Sequence, residues 1–368
     1  MRPTWADIDL NAIRHNVQEI KKLVSPALFC AVVKADAYGH GAVPVARATV
    51  EAGADWLAVA LVEEGKELRD AGIRIPILVL SEPRPSEMVE VVESELVPTV
   101  YSGAGISAAA AAASSSDTNL KVHLKVDTGM RRVGVEPEFA VTVAKSINER
   151  PSLSLDGIWT HCAVADEPDN PFTDKQLSIF EKVLAEYEEA RVSVTLRHAA
   201  NSALSINKPE GRYDMVRCGL VTYGIPPHRD SNTTLDLRPA MKLLSEVSFV
   251  KDIGKGEGVS YGLSWKAPRD SRIATVPMGY ADGLRRSAGH MGGNVIIQGQ
   301  KFPIVGNITM DQFLVDCGET DIQSGDEVTI IGAQGTEEVT AEDWAADLGT
   351  IPYEIICGVE SRIPRRYS

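Results

Sequence analysis

Residues 28–41 read LFCAVVKADAYGHG. The first six are apolar, about the length of a buried strand. Lys34 closes the run, and Gly39 and Gly41 permit a tight turn into a following helix. From here apolar runs alternate with helical stretches. Further strand-like runs fall at 56–61, 77–80, 97–100, 122–126, 155–159, 194–196 and 215–221, making eight with the first. Helical spacing appears between them, at 62–70, 136–146 and 173–190. This alternation implies α/β architecture with a parallel sheet covered on both faces. Eight strands also close a (β/α)8 TIM-type barrel. A doubly wound open sheet is the alternative.

Upstream, Leu10, Ile13, Val17, Ile20 and Val24 keep helical spacing, with Asp9 or Asn11 as the cap. Downstream, Pro226, Pro227 and the polar stretch 229–234 read as a linker. Short β-rich runs follow at 247–250, 273–276, 295–297, 313–315 and 328–331. The expected organisation is a barrel over 1–228 and a smaller, mostly-β C-terminal domain over 235–368. The small-residue stretch SAAAAAASSSD (107–117) reads as a surface helix with a polar end, and less readily as a lid.

The net charge of −14 argues against nucleic acid or an anionic membrane as partner. No apolar run approaches the ~18 residues of a membrane span. The N-terminus lacks the pattern of a secretory signal. Five scattered cysteines without a CxxC suggest reduced thiols and a cytoplasmic protein.

Catalytic groups of parallel barrels sit at the C-terminal ends of strands. The polar residues there are Lys34, Lys125 to Asp127, His161, the 198–202 segment and Arg217. A lysine after a buried strand must be paired or neutralised, which makes Lys34 a candidate Schiff-base former. A strand-end lysine reaching solvent is the plainer alternative. Asn201, Ser202 and the Gly219–Leu220 backbone are candidate phosphate donors, or simply caps and turns. Asp127-Thr128-Gly129 matches an aspartic-protease signature, but only one copy occurs and a dyad needs two. His161 with Asp166, Glu167 and Asp169 fits no common metal spacing, so no metal is expected.

Together these segments resemble the bacterial alanine racemases over nearly the whole chain. The matching stretches are AVVKADAYGHG (31–41), HLKVDTGMRRVG (123–134), GIWTHCA (157–163), HAANSA (198–203), YDMVRCGL (213–220), GVSYG (258–262), MGYADG (278–283), VGNITMDQ (305–312) and YEIICGVESRIPR (353–365). The resemblance implies a barrel plus a C-terminal β domain, and pyridoxal 5'-phosphate (PLP) bound covalently by Lys34. It implies Tyr38, Ser202, Tyr353 and the Gly219 and Leu220 backbone around the phosphate, and Arg217 against the pyridine nitrogen with His161 beside it. Arg132 would lie near the substrate carboxylate, and Lys125 matches a lysine carbamylated in some members. A head-to-tail homodimer is implied, in which Tyr261 and Met310 enter the partner's active site. The implied product is D-alanine for peptidoglycan. Two positions depart from the family pattern. Arg131 stands where Gly, His or Asn is frequent, and Asn307 stands where arginine is common. Neither departure is expected to touch the two bases.

Racemisation takes a proton from one face of Cα and returns one to the other, so two acid/base groups suffice. The family pattern assigns these roles to Lys34 and Tyr261. Arg217 favours this chemistry over decarboxylation, because a guanidinium only donates and cannot hold a ring N–H. A serine or broader racemase, and a PLP-binding protein without activity, are the remaining alternatives.

Overall fold

The computed structural model describes residues 2–227 and 235–368. The expected linker stretch 229–234 lies outside the described residues. The chain divides into two compact units, 12–37 with 42–238, and 1–11 with 38–41 and 239–368.

One strand precedes the first unit, β1 (Thr4–Ile8). The first unit then holds eight strands: β2 (Leu28–Val32), β3 (Trp56–Val59), β4 (Ile77–Val79), β5 (Val97–Val100), β6 (Leu120–Lys125), β7 (Leu153–Trp159), β8 (Leu196–His198) and β9 (Met215–Cys218). They form one parallel sheet in the order β8-β7-β6-β5-β4-β3-β2-β9. The edge strands β8 and β9 are bridged by Asp214 N–H to Arg197 O (3.0 Å) and Arg217 N–H to Ala200 O (2.9 Å). Each expected run overlaps a barrel strand, although β8 lies two residues later than 194–196 and β9 ends at Cys218; most strand residues are apolar and buried, with Lys121 and Arg197 exposed. The helix Leu10–Val24 buries Ile13, Val17, Ile20 and Val24 at the expected spacing. Asp9 Oδ1 accepts the Asn11 N–H and so provides the cap. Buried Asn16 on this helix is satisfied, donating to Thr222 O and Arg238 O and accepting from Arg238 N–H. The alanine-rich stretch forms the helix Gly103–Ser115, N-capped by Ser102 and burying Ile106, Ala109, Ala112 and Ala113.

The second unit is built on strands β10 (Met241–Glu246), β11 (Phe249–Ile253), β12 (Gly258–Val259), β13 (Trp265–Lys266), β14 (Ser271–Val276), β15 (Asn294–Ile297), β16 (Gln300–Val305), β17 (Phe313–Asp316), β18 (Glu327–Gln334), β19 (Glu337–Val339) and β20 (Arg365–Tyr367). Its main sheet runs β11-β14-β17-β16-β15-β18-β10-β1-β20. Thus β1, at the chain's start, belongs here and not with the barrel strands, unlike the simple division at 228. The reason is pairing: β1 is antiparallel to β10 and parallel to β20. Ala6 and Ile8 enter the core of this unit with Leu243, Val295, Phe313 and Ile330. The alternation Thr-Trp-Ala-Asp-Ile carries this strand, but it lies beside a stronger helical signal.

Candidate active site

Lys34 stands two residues after the end of β2. It opens a left-handed helical turn, Ala35, Asp36, Ala37 and Tyr38, with φ of 52°, 51°, 51° and 55°. Each non-glycine residue held there costs roughly 1–2 kcal/mol. Specific contacts offset that cost. Glu64 Oε1 accepts Ala35 N–H at 2.6 Å, and Asp36 Oδ1 accepts Ala42 N–H at 2.7 Å. Glu64 Oε2 also takes the Ala60 and Leu61 amides. At Gly39 (φ 81°) a Cβ would lie 2.4 Å from Ile356 O, so only glycine fits. The Tyr38 and Tyr353 rings in this unit lie 5.8 Å apart.

In the barrel unit, Lys125 ends β6, His161 follows β7, and Arg217 lies in β9. Lys125 Nζ sits 4.4 Å above the Trp159 ring, and Arg217 Cζ lies 4.6 Å from the same ring. Burial, then the charges of Arg132 and Arg217, bring the Lys125 amine down to about 7. Burial holds the Arg217 guanidinium at about 10. His161 is pushed well below the ordinary imidazole range by burial and by the cations Arg217, Lys125, Arg132 and Lys34. It is therefore neutral near pH 7.

Arg217 donates from Nη1 to His198 Nδ1 (2.8 Å) and from Nη2 to Thr160 O (2.8 Å) and Ala199 O (3.1 Å), with His161 Nδ1 at 3.4 Å. A guanidinium offers five N–H groups and accepts none. The buried indole N–H of Trp159 has no hydrogen-bond partner among the described residues. Donor-only groups thus dominate the C-terminal strand ends of a chain whose net charge is −14. Such a donor set fits an anion that also carries an aromatic acceptor nitrogen.

Other expected residues have local duties. Asn201 Oδ1 accepts Leu204 N–H and caps the helix Ser202–Asn207. The Gly219 amide donates to Ser202 Oγ at 3.0 Å. Leu220 opens the 3-10 turn Leu220–Tyr223, where a first amide has no partner within its own turn. Asp127 Oδ1 accepts the Gly129 and Arg131 amides, so the Asp-Thr-Gly segment is a turn. His161 faces Arg217 through Nδ1. Among the described residues no group of three or more His, Cys, Asp or Glu is arranged to hold a metal.

The two departures acquire physical meaning. Arg131 has φ 56°, the region where Gly, Asn and His are most at ease. Its exposed side chain pairs with Glu136 at 2.8 Å. Asn307 does meet one proposed base, contrary to expectation. Its Nδ2 donates to Tyr261 O at 2.8 Å, and its own carbonyl accepts Ser260 Oγ–H. Together these contacts present Tyr261 on the turn Tyr261–Leu263, where the side chain is 71 % exposed. Met310, three residues beyond Asn307, is also exposed. Asn307→Ala removes a hydrogen bond of about 1 kcal/mol. It should lower kcat severalfold while leaving the melting temperature within a few degrees (~1 kcal/mol moves it about 1–2 °C in a chain of this size), as steady-state assays and thermal melts will check.

His123 and Asp156 were not singled out from the sequence. His123 Nδ1 lies 2.9 Å from His198 Nε2. The signal was present: His123 and Lys125 are two apart on β6 and so face the same side.

The N-terminal domain profile of alanine racemase matches residues 8–227, and the C-terminal domain profile matches 240–367. Alanine racemase of Halothermothrix orenii is 42 % identical over 370 residues, covering 100 % of this chain and 97 % of that protein. The Symbiobacterium thermophilum enzyme is 44 % identical over 368 residues, with 100 % and 97 % covered. Among solved structures, alanine racemase from D-cycloserine-producing Streptomyces lavendulae superposes with a TM-score of 0.96 at 39 % identity, covering 100 % of this chain and 97 % of that one. The Bacillus anthracis enzyme, solved with bound L-Ala-P, gives 0.94 at 37 % identity, with 100 % and 95 % covered. The chain belongs to the alanine racemase family.

Proposed function

We propose that this chain is a PLP-dependent isomerase that interconverts L- and D-alanine, with Lys34 and Tyr261 as the two acid/base groups. The observation that carries the reading is Arg217: a buried, donor-only group at a strand end, beside neutral His161. PLP supplies electron withdrawal that acidifies the Cα–H of a bound amino acid. Arg217 would donate to the pyridine nitrogen and leave it without a proton, which would limit delocalisation and the side reactions that follow from it. Ser202 Oγ–H and Leu220 N–H would hold the phosphate, and the matching motifs assign Tyr38 and Tyr353 to the same group. Gly219 N–H, already given to Ser202, supports that hydroxyl instead, and Asn201 contributes by capping.

Lys34 Nζ removes or returns the Cα proton on one face. Tyr261 Oη does so on the other, for the partner subunit of a head-to-tail homodimer. Its exposure, with that of Met310 and Leu263, supports a role outside its own unit. His161 Nδ1 lies 3.4 Å from Arg217 Nη2, so the neutral tautomer with its proton on Nε2 keeps an N–H away from the cationic guanidinium. That N–H is suited to donate to the phenolic oxygen and favour the phenolate. Arg132 holds the substrate carboxylate. Lys125, about half neutral near pH 7, is suited to carbamylation: its amine adds to carbon dioxide, releases a proton and becomes an anion beside Arg132. The family pattern adds a cytoplasmic enzyme supplying D-alanine for peptidoglycan.

PLP-loaded protein incubated with L-alanine should yield equal amounts of both enantiomers on chiral chromatography. L-serine should react more slowly, by up to about 10². A PLP-loaded protein that forms no D-alanine overturns the reading.

A further inference from the structure

Behind Arg217 runs a buried polar chain that the proposed chemistry does not use directly. Arginine can only donate, so His198 Nδ1, 2.8 Å from Nη1, must accept. Neutral His198 then carries its hydrogen on Nε2. That N–H points at His123 Nδ1, 2.9 Å away, which must accept in turn. His123 therefore carries its hydrogen on Nε2, 3.8 Å from Asp156 Oδ2. That is longer than a hydrogen bond, but it sets an N–H dipole against a carboxylate. Asp156 is ionised, its carboxyl held at about 2 by His123 first and Lys121 as well. Both histidines are fully buried and held below the ordinary imidazole range, mainly by burial. The reverse tautomer would oppose two N–H groups in a dry core, a buried unsatisfied contact.

The backbone is shaped for this chain. The β6–β7 register shifts between Val122 and His123, so that Gly157 faces His123 and Asp156 is the extra residue. Such a bulge re-aims a side chain. A Cβ on Gly157 would lie 2.6 Å from His123 Nδ1, so glycine leaves room for the ring. Trp159 stacks on His198, 5.7 Å between centroids and 9° between planes.

We propose that His198, His123 and Asp156 are positioning residues: a one-way donor chain from Arg217 through His198 to His123, whose Nε2 makes no hydrogen bond but faces the Asp156 carboxylate, that fixes the guanidinium and determines which of its hydrogens are left to face a bound ring nitrogen. The second half of this statement rests on the racemase reading; the tautomers do not. An asparagine at 198 can place a carbonyl oxygen near the position of Nδ1 and accept from Nη1, whereas leucine cannot.

Two measurements test the proposal. NMR of isotope-labelled histidine nitrogens in the PLP-loaded full chain should show His198 and His123 as single, neutral Nε2–H tautomers, with signals assigned by loss in His198→Asn and His123→Phe. An Nδ1–H tautomer or an imidazolium at either residue overturns the chain. In kinetics, His198→Leu should lose at least roughly tenfold in kcat with little change in KM, as when a tautomer-fixing partner is removed. His198→Asn should recover most of the loss. Gly157→Ala, which displaces His123 without deleting a polar group, should share the kcat loss. Equal activity of the leucine and asparagine variants at equal PLP content overturns the positioning role. If the wild-type protein does not racemise alanine, the functional reading fails while the NMR result still decides the chain.

Discussion

Lys34→Ala should leave a protein that no longer fixes PLP on borohydride reduction and that racemises alanine slower by on the order of 10³ to 10⁴, the upper part of the range for losing a positioned acid/base group. The wild-type protein, reduced and digested, should carry the cofactor on the peptide containing Lys34. The competitor is specific. Lys125 has an amine lowered to about 7, so a substantial neutral fraction is available for attack at neutral pH. Lys34 is preferred because it stands immediately before the left-handed turn, where Glu64 and Asp36 hold the backbone in place. Lys125 instead lies over the Trp159 ring with Arg132 and Arg217 acting on it. A reduced cofactor mapped to Lys125 would move the anchor and make Lys34 a structural residue.

Tyr261→Phe should retain PLP at the wild-type level and lose roughly 10² to 10⁴ in racemisation kcat, in both directions. The loss should be two-directional because each turnover uses both faces, whichever enantiomer enters. Fold and cofactor content should survive, since the side chain is largely exposed and its turn is held by the Asn307 side chain donating to the Tyr261 carbonyl and by Ser260 Oγ–H donating to the Asn307 carbonyl. A variant that keeps wild-type kcat would remove tyrosine from the chemistry.

The barrel was legible because its strands are near-continuous apolar runs and their spacing with helices has few alternatives. The strand β1 was not, because TWADI is short and its partners lie more than 230 residues away in sequence. Lys34, His161 and Arg217 were legible as polar groups at strand ends. His123 shares a strand face with Lys125, but its pairing with Asp156 depends on a bulge between β6 and β7 that no local pattern announces. The left-handed turn after Lys34 also escaped, since Ala35, Asp36 and Ala37 are ordinary helix residues in sequence. Asn307 read as a remote departure, and only the folded chain brings it to the Tyr261 carbonyl.

The central claim is that Lys34 and Tyr261 serve opposite faces of Cα, lysine for the D-isomer and tyrosine for the L-isomer. The direct measurement is Cα proton exchange in deuterated water during the first half-reaction, from L-alanine and from D-alanine separately. The predicted result is that Tyr261→Phe stops exchange from L-alanine while exchange from D-alanine, served by Lys34, persists. Equal loss from both enantiomers, at undiminished PLP content, would contradict the two-face account.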